Sequence, residues 1–102
     1  MVYLVKFYNE NGLVFSKIGK TNRTIKIRID EEKKEYKQFN IKTVEIVSTI
    51  EADSIQSVGA ESMVRARLIQ KYPESYKEHD RFFRDIKKSE FEKIVKKYLK
   101  RA

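Results

Sequence analysis

The densest chemical content of the chain lies in Ser16-Lys17-Ile18-Gly19-Lys20-Thr21, where an apolar run ends in a glycine flanked by two lysines. Glycine there lets a phosphate approach the backbone, and the lysines set positive charge beside it. Lys20, Thr21 and Arg23 are therefore candidate nucleic-acid contacts. Gly19-Lys20-Thr21 copies the end of a phosphate-binding P-loop, but the GxxxxGK spacing needs a glycine where this chain has Val14. Nucleotide triphosphatase chemistry finds no support. A single histidine, His79 in a polar stretch, cannot build a Ser-His-Asp set or a His-rich zinc centre, and the absence of cysteine excludes disulfides and thiolate metal sites. No glycosidase-type pair stands out among the 15 acids. Any metal must sit on carboxylates.

Elements must hold such groups in place, and the composition permits them. The chain of 102 residues suits one domain, residues 1–102, without a flexible linker, since it has three Gly and one Pro. With 23 basic against 15 acidic residues, a formal +8, its surface should attract polyanions, nucleic acid first. Six Tyr and six Phe with regularly spaced aliphatics still provide a core. No apolar run approaches the ~20 residues that span a bilayer, and the N-terminus enters a strand pattern rather than a signal sequence, so a cytoplasmic protein without membrane contact is expected.

Val2–Tyr8 is β-branched and aromatic, Asn9–Gly12 has turn chemistry, and the apolar pattern resumes from Leu13 to Gly19, which predicts a hairpin. Thr24–Tyr36 fits strand or helix by its isoleucines. The polar, helix-forming tail and Asn22 or Thr24 as N-cap favour helix. Lys42–Ile50 alternates as a third strand, with Val44, Ile46 and Ser48 on one side. Asp53 and Gln56 form a capping box for a helix that Pro73 ends. Its apolar arc collects Ile55, Val58, Val64, Ala66, Leu68, Ile69 and Tyr72, with Glu61 inside it. Glu74–Asp85 reads as an exposed connection anchored by Phe82-Phe83. Ser89-Glu90-Phe91-Glu92 is a second capping box before a helix with Phe91, Ile94, Val95, Tyr98 and Leu99 at three- and four-residue spacing. The order β-β-α-β-α-α predicts an α+β domain in which three helices flank a small, three-stranded, mainly antiparallel sheet.

The order Val2-Tyr3-Leu4, then Lys17-Ile18-Gly19, then Arg28 on a helix and Glu61 on a later one resembles the GIY-YIG nuclease superfamily over about residues 2 to 83. "VYL" stands for GIY and "KIG" for YIG, and "KIGKT" with a downstream arginine looks like the branch found in many phage and bacterial open reading frames. The resemblance implies a metal-dependent endonuclease or nicking domain acting on DNA, with RNA also open as partner. It implies Tyr3, Lys17 and Arg28 as catalytic residues and Glu61 as ligand of one Mg²⁺ or Mn²⁺ ion. Two departures also admit a catalytically inactive nucleic-acid-binding module on the same fold. Glu32 stands one turn after Arg28, where the family often has His or Tyr, and no asparagine follows Asn40.

In such a site the ion on Glu61 would polarise the scissile phosphate. Arg28 would hold a non-bridging oxygen. Tyr3 would take a proton from the attacking water or position it, with its phenol pKa lowered by Lys17. Tyr3 and Lys17 share a hairpin face if the loop has three or five residues. Each residue also has a plainer role: Tyr3 as a strand aromatic, Lys17 as a solvent-face edge charge, Arg28 as one charge among many, Glu61 as the i, i+4 partner of Arg65. Lys96, Lys97 and Lys100 lie on the basic side of the last helix, which is either a solvated face or one that tracks a phosphate backbone. The remaining class is a basic protein that docks on an acidic protein surface.

Overall fold

The computed structural model describes residues 1–101. Strands β1 (Val2–Asn9) and β2 (Gly12–Lys20) form the hairpin, followed by α1 (Ile25–Glu35), β3 (Thr43–Ile50) and α2 (Ser54–Lys71). Then come the short β4 (Tyr76–Lys77) and β5 (Arg81–Phe82), and α3 (Lys88–Arg101). The architecture is α+β, but the sheet has five strands in the order β3-β1-β2-β5-β4, not three, and every pairing is antiparallel. The two additional strands lie in the segment read as an exposed connection. At two residues each they are too short to show a period of two, and they form because Phe82 pairs with Ser16 of β2 and is fully buried.

The hairpin loop also departs from expectation. It has two residues, Glu10 and Asn11, stabilised by the Asn11 N–H donating to Asn9 Oδ1 at 2.8 Å and by Gly12 at φ 111°. On parity alone that length would put Tyr3 and Lys17 on opposite faces. A β-bulge intervenes: Phe7 opposes Phe15 while Tyr8 opposes Leu13, so Val14 is the extra residue. The shift sets Tyr3 opposite Gly19 and Val5 opposite Lys17, which returns Tyr3 and Lys17 to one face. A second irregularity on β3 pairs Leu4 with Ser48 but Val5 with Ile46, so Ser48 faces away from Val44 and Ile46. Its hydroxyl accordingly bonds Glu92 of α3 at 2.6 Å.

Helices cover both faces of the sheet. Val2, Leu4 and Ile18 pack with Ala60, Val64 and Leu68 of α2 and Phe91 and Val95 of α3. Tyr3, Val5, Phe7 and Phe15 pack with Ile29 of α1 and with Tyr36. Because the first half of β1 is buried on both sides, its sequence from Val2 to Val5 is apolar without a break rather than alternating. The capping box of α2 forms as read, with Gln56 N–H donating to Asp53 Oδ1 at 2.7 Å. Its buried stripe, however, is Ser57, Ala60, Glu61, Val64 and Leu68, whereas Ile55 (83% exposed), Val58 and Ala66 face outward. The first turn of α2 meets the rest of the domain through Ser57, whose hydroxyl accepts from the Met1 amino group at 3.0 Å, and leaves Ile55 on the solvent side. Helix α3 begins at Lys88, one turn position before the expected cap Ser89, and Glu90 accepts the Lys87 N–H at 3.3 Å instead.

Candidate functional site

Tyr3 from β1, Lys17 and Gly19 from β2, Arg28 from α1, Tyr36 after it, Glu61 from α2 and the His79-Asp80 turn line one cavity of about 210 Å³. The four residues singled out by sequence thus converge on one concave surface. Small-molecule pockets are usually larger, ~300–1,000 Å³, and mostly apolar. This one presents Lys17, Lys20 and Arg28 against Glu35, Glu61 and Asp80, which suits a small charged group. A larger space of about 650 Å³ lies between α2 and α3 and collects no comparable constellation.

Gly19 is where it is because of Tyr3. A Cβ on Gly19 would collide with the tip of the Tyr3 ring, which lies across the glycine. The Tyr3 hydroxyl donates a short hydrogen bond to Glu32 Oε1, and Arg28 Nε lies 3.4 Å from the same oxygen. Arg28, Glu32 and Tyr36 follow one another at i, i+4 and i+8, so one stripe of α1 and its C-terminal end faces the sheet. Glu32 is fully buried and its second oxygen, Oε2, has no hydrogen-bond partner among the described residues. Burial and the Glu32 carboxylate push the Tyr3 phenol far above its ordinary value. The expectation that Lys17 lowers that pKa is therefore not met. Burial raises Glu32 as well, against the hydrogen bond from Tyr3 and the charges of Lys17 and Arg28. Burial likewise lifts the Tyr36 phenol to about 12.

Lys17 is no solvent-face charge, being 6% exposed. Its Nζ donates to the His79 carbonyl at 2.8 Å, and burial draws its pKa down. His79 and Asp80 are both left-handed, with φ of 62° and 57°. Such residues cost ~1–2 kcal/mol each in this region, though His and Asp tolerate it better than most. Lys17, the Ile18 N–H bonded to the Asp80 carbonyl at 3.1 Å, and Arg65 Nη1 on the Asp80 carboxylate at 3.2 Å hold the turn in that conformation. Arg65 Nη1 also lies 3.4 Å from Glu61 Oε1, and Lys20 Nζ is 3.7 Å from it. Two carboxylates therefore share one guanidinium nitrogen. Burial first, and Asp80 second, raise the Glu61 pKa.

A hairpin carrying Tyr3 and KIG, an arginine on the next helix and a buried glutamate on a later one point to a family, and a model of the T5orf172 domain matches residues 1–99. The chain belongs to the T5orf172 domain family. That is a phage-associated family of nuclease-like, nucleic-acid-binding type. No curated protein and no solved structure matches the chain. Among the described residues of this T5orf172 domain, no helix is long and apolar enough to cross a membrane.

The basic residues of the T5orf172 domain fall on separate surfaces. Lys20 borders the cavity, and Thr21 sits beside it with its hydroxyl accepting the Arg23 N–H at 3.0 Å. Arg23 is exposed and pairs with Glu31 at 2.6 Å. Lys96 pairs with Glu92 at 3.6 Å, and Lys100 is exposed. Lys97, by contrast, lines the groove between α2 and α3 together with Arg67, Lys93 and Arg101. The last helix therefore stands apart from the cavity, and only Lys20 of these residues belongs to it. Four residues of the cavity wall, Glu35, Tyr36, His79 and Asp80, and Glu32 behind Tyr3 were not singled out as functional from sequence. For Glu32 and Tyr36 the signal was present in their spacing of four and eight residues from Arg28. For His79-Asp80 there was none, since their place depends on β5 pairing with β2.

A divalent cation can be tested against these donors. Among the described residues there is no group of three or more His, Asp or Glu able to enclose one. Mg²⁺ does not require such a cage, because it keeps most of its waters and commonly binds one or two carboxylates plus substrate phosphate. Glu61, with Asp80 beside it on the shared Arg65 nitrogen, supplies that minimum.

Proposed function

We propose that this chain is a metal-dependent endonuclease or nicking domain of GIY-YIG type that hydrolyses DNA phosphodiester bonds. The observation that carries this is the meeting of Tyr3, Lys17, Arg28 and Glu61 around one polar cavity at the end of the hairpin. Glu61 would hold one Mg²⁺ or Mn²⁺ ion, which when bound supplies Lewis-acid polarisation of the phosphate and stabilises the leaving oxygen. Arg28 faces the cavity from α1. Burial works against its charge, but Tyr3 and Glu32 raise its pKa, so it stays a cation able to grip a non-bridging oxygen. Lys17 adds buried positive charge and holds the His79-Asp80 wall. Tyr3 positions the attacking water and receives its proton.

A catalytically inactive nucleic-acid-binding module is favoured by one observation: Glu61 already has Arg65 and Lys20 beside it, so its charge is compensated without a metal. Supercoiled plasmid incubated with Mg²⁺ or Mn²⁺ separates the two. The nuclease nicks it, and Glu61→Ala and Tyr3→Phe each lower the rate by ~10²–10⁴ while DNA binding persists. Cleavage indifferent to both substitutions refutes the assigned site. No cleavage, with DNA binding that weakens steeply with salt, selects the binding module.

A further inference from the structure

We propose that Glu32 is the terminal proton acceptor of this site, reached from the cavity through the Tyr3 hydroxyl. The proposal rests on the phosphodiesterase reading above. Both side chains are fully buried, but Tyr3 lines the cavity and Glu32 lies behind it and does not. The hydroxyl hydrogen of Tyr3 is already committed to Glu32 Oε1 and Arg28 bonds the phenol oxygen, which leaves one lone pair of that oxygen to accept a proton from the cavity side. A tyrosine in this arrangement never has to become a phenolate, which its environment opposes.

The step balances without an added reagent. An O–H bond of the attacking water breaks while its oxygen forms a bond to phosphorus, and that proton passes to the Tyr3 oxygen. The original Tyr3 proton moves to Glu32 Oε1. The phosphorus–oxygen bond on the far side breaks, and its electron pair stays on the leaving oxygen, which takes a proton from solvent. Glu32 then returns its proton by the same route.

Three features suit Glu32 to this task. Burial raises its pKa, which makes it a stronger base than an exposed carboxylate. Its unpartnered Oε2 means that the ionised form is incompletely solvated, so taking up a proton relieves a cost. The charged and titratable groups facing it are Tyr3 from β1, Lys17 from β2, Arg28 and Glu35 from α1, and Tyr36. Of these, Lys17 and Arg28 favour its ionised form against the effect of burial.

Glu32→Gln tests the idea, because glutamine still accepts the Tyr3 hydrogen bond but cannot take the proton. Nicking of plasmid falls by ~10²–10⁴ with DNA affinity unchanged. The acidic limb of the native pH–rate profile also disappears, leaving a rate that rises in proportion to hydroxide. A purely structural Glu32 would lower the rate without removing that limb. Equal activity and an unchanged limb overturn the relay and leave the nuclease standing, whereas an inert native chain overturns both. A second readout needs no turnover: the side-chain ¹³C signal of Glu32 is titrated in the native chain and in Tyr3→Phe. The carboxyl titrates above the ordinary range yet is ionised at the pH of the assay, and loss of the Tyr3 donor moves it higher. A Glu32 already protonated at that pH has no room for the proton and overturns the relay.

Discussion

Gly19→Ala isolates the contact on which the site is assembled. The backbone at Gly19 does not have the positive φ that would exclude alanine; the obstacle is the Tyr3 ring, whose Cζ, Oη and Cε1 occupy the space of the added methyl. Tyr3 cannot slide away freely, because it is fully buried and anchored to Glu32. Overpacking of this kind costs ~1–3 kcal/mol, and loss of a hydrogen bond to a charged group costs ~1.5–3 kcal/mol. Against this, replacing glycine with alanine restricts the unfolded chain and returns ~0.4–1 kcal/mol. The net expectation is a loss of about 2–5 kcal/mol, and each kcal/mol lowers Tm by roughly 4–8 °C in a domain of this size. In a Tyr3→Leu background the ring tip is gone, so the same substitution becomes neutral or slightly stabilising. Urea unfolding followed by far-ultraviolet circular dichroism on the four proteins of this cycle gives the coupling directly. Equal costs of Gly19→Ala in both backgrounds would show that the glycine is not there for Tyr3.

Glu90→Ala removes the acceptor that joins Lys71 at 2.7 Å, Tyr72 at 2.6 Å and the Lys87 N–H at 3.3 Å, uncoupling the end of α2 from the start of α3. Partial burial opposes the charge, but the bonds from Lys71 and Tyr72 hold the Glu90 carboxyl below its ordinary value. A depressed folded pKa means stability present above the ordinary carboxylate range and lost as pH falls through the folded value. The native chain should exceed Glu90→Ala by ~1–3 kcal/mol at neutral pH, with the gap closing in acid. A gap independent of pH would refute the assignment. For the groove between α2 and α3, Lys93→Ala and Lys97→Ala should each reduce the slope of log affinity for duplex DNA against log salt by ~0.9 if a phosphate lies on each side chain. An unchanged slope would place the DNA elsewhere.

Local signals in the sequence were enough for the hairpin, for the capped second helix and for the amphipathic last helix, because caps, turns and three- and four-residue spacing are properties of neighbouring residues. The order Tyr3, Lys17-Ile18-Gly19, Arg28 and Glu61 was likewise legible, and with it a resemblance to phage-type nuclease domains with which the T5orf172 match agrees. What tertiary structure decided lies between distant segments. The bulge at Val14, not the loop length, sets Tyr3 and Lys17 on one face. The pairing of Arg81-Phe82 with β2 enlarges the sheet to five strands and brings His79-Asp80 to the cavity wall. Lys17, read as a charge that activates Tyr3, instead braces that wall, because the closest acceptor the fold offers it is the His79 carbonyl. Glu32, first noticed only as a departure from the family pattern, has its properties set by burial behind Tyr3. The identity of a carboxylate is written in the chain, but whether it is a solvated charge or a base depends on what the fold packs around it.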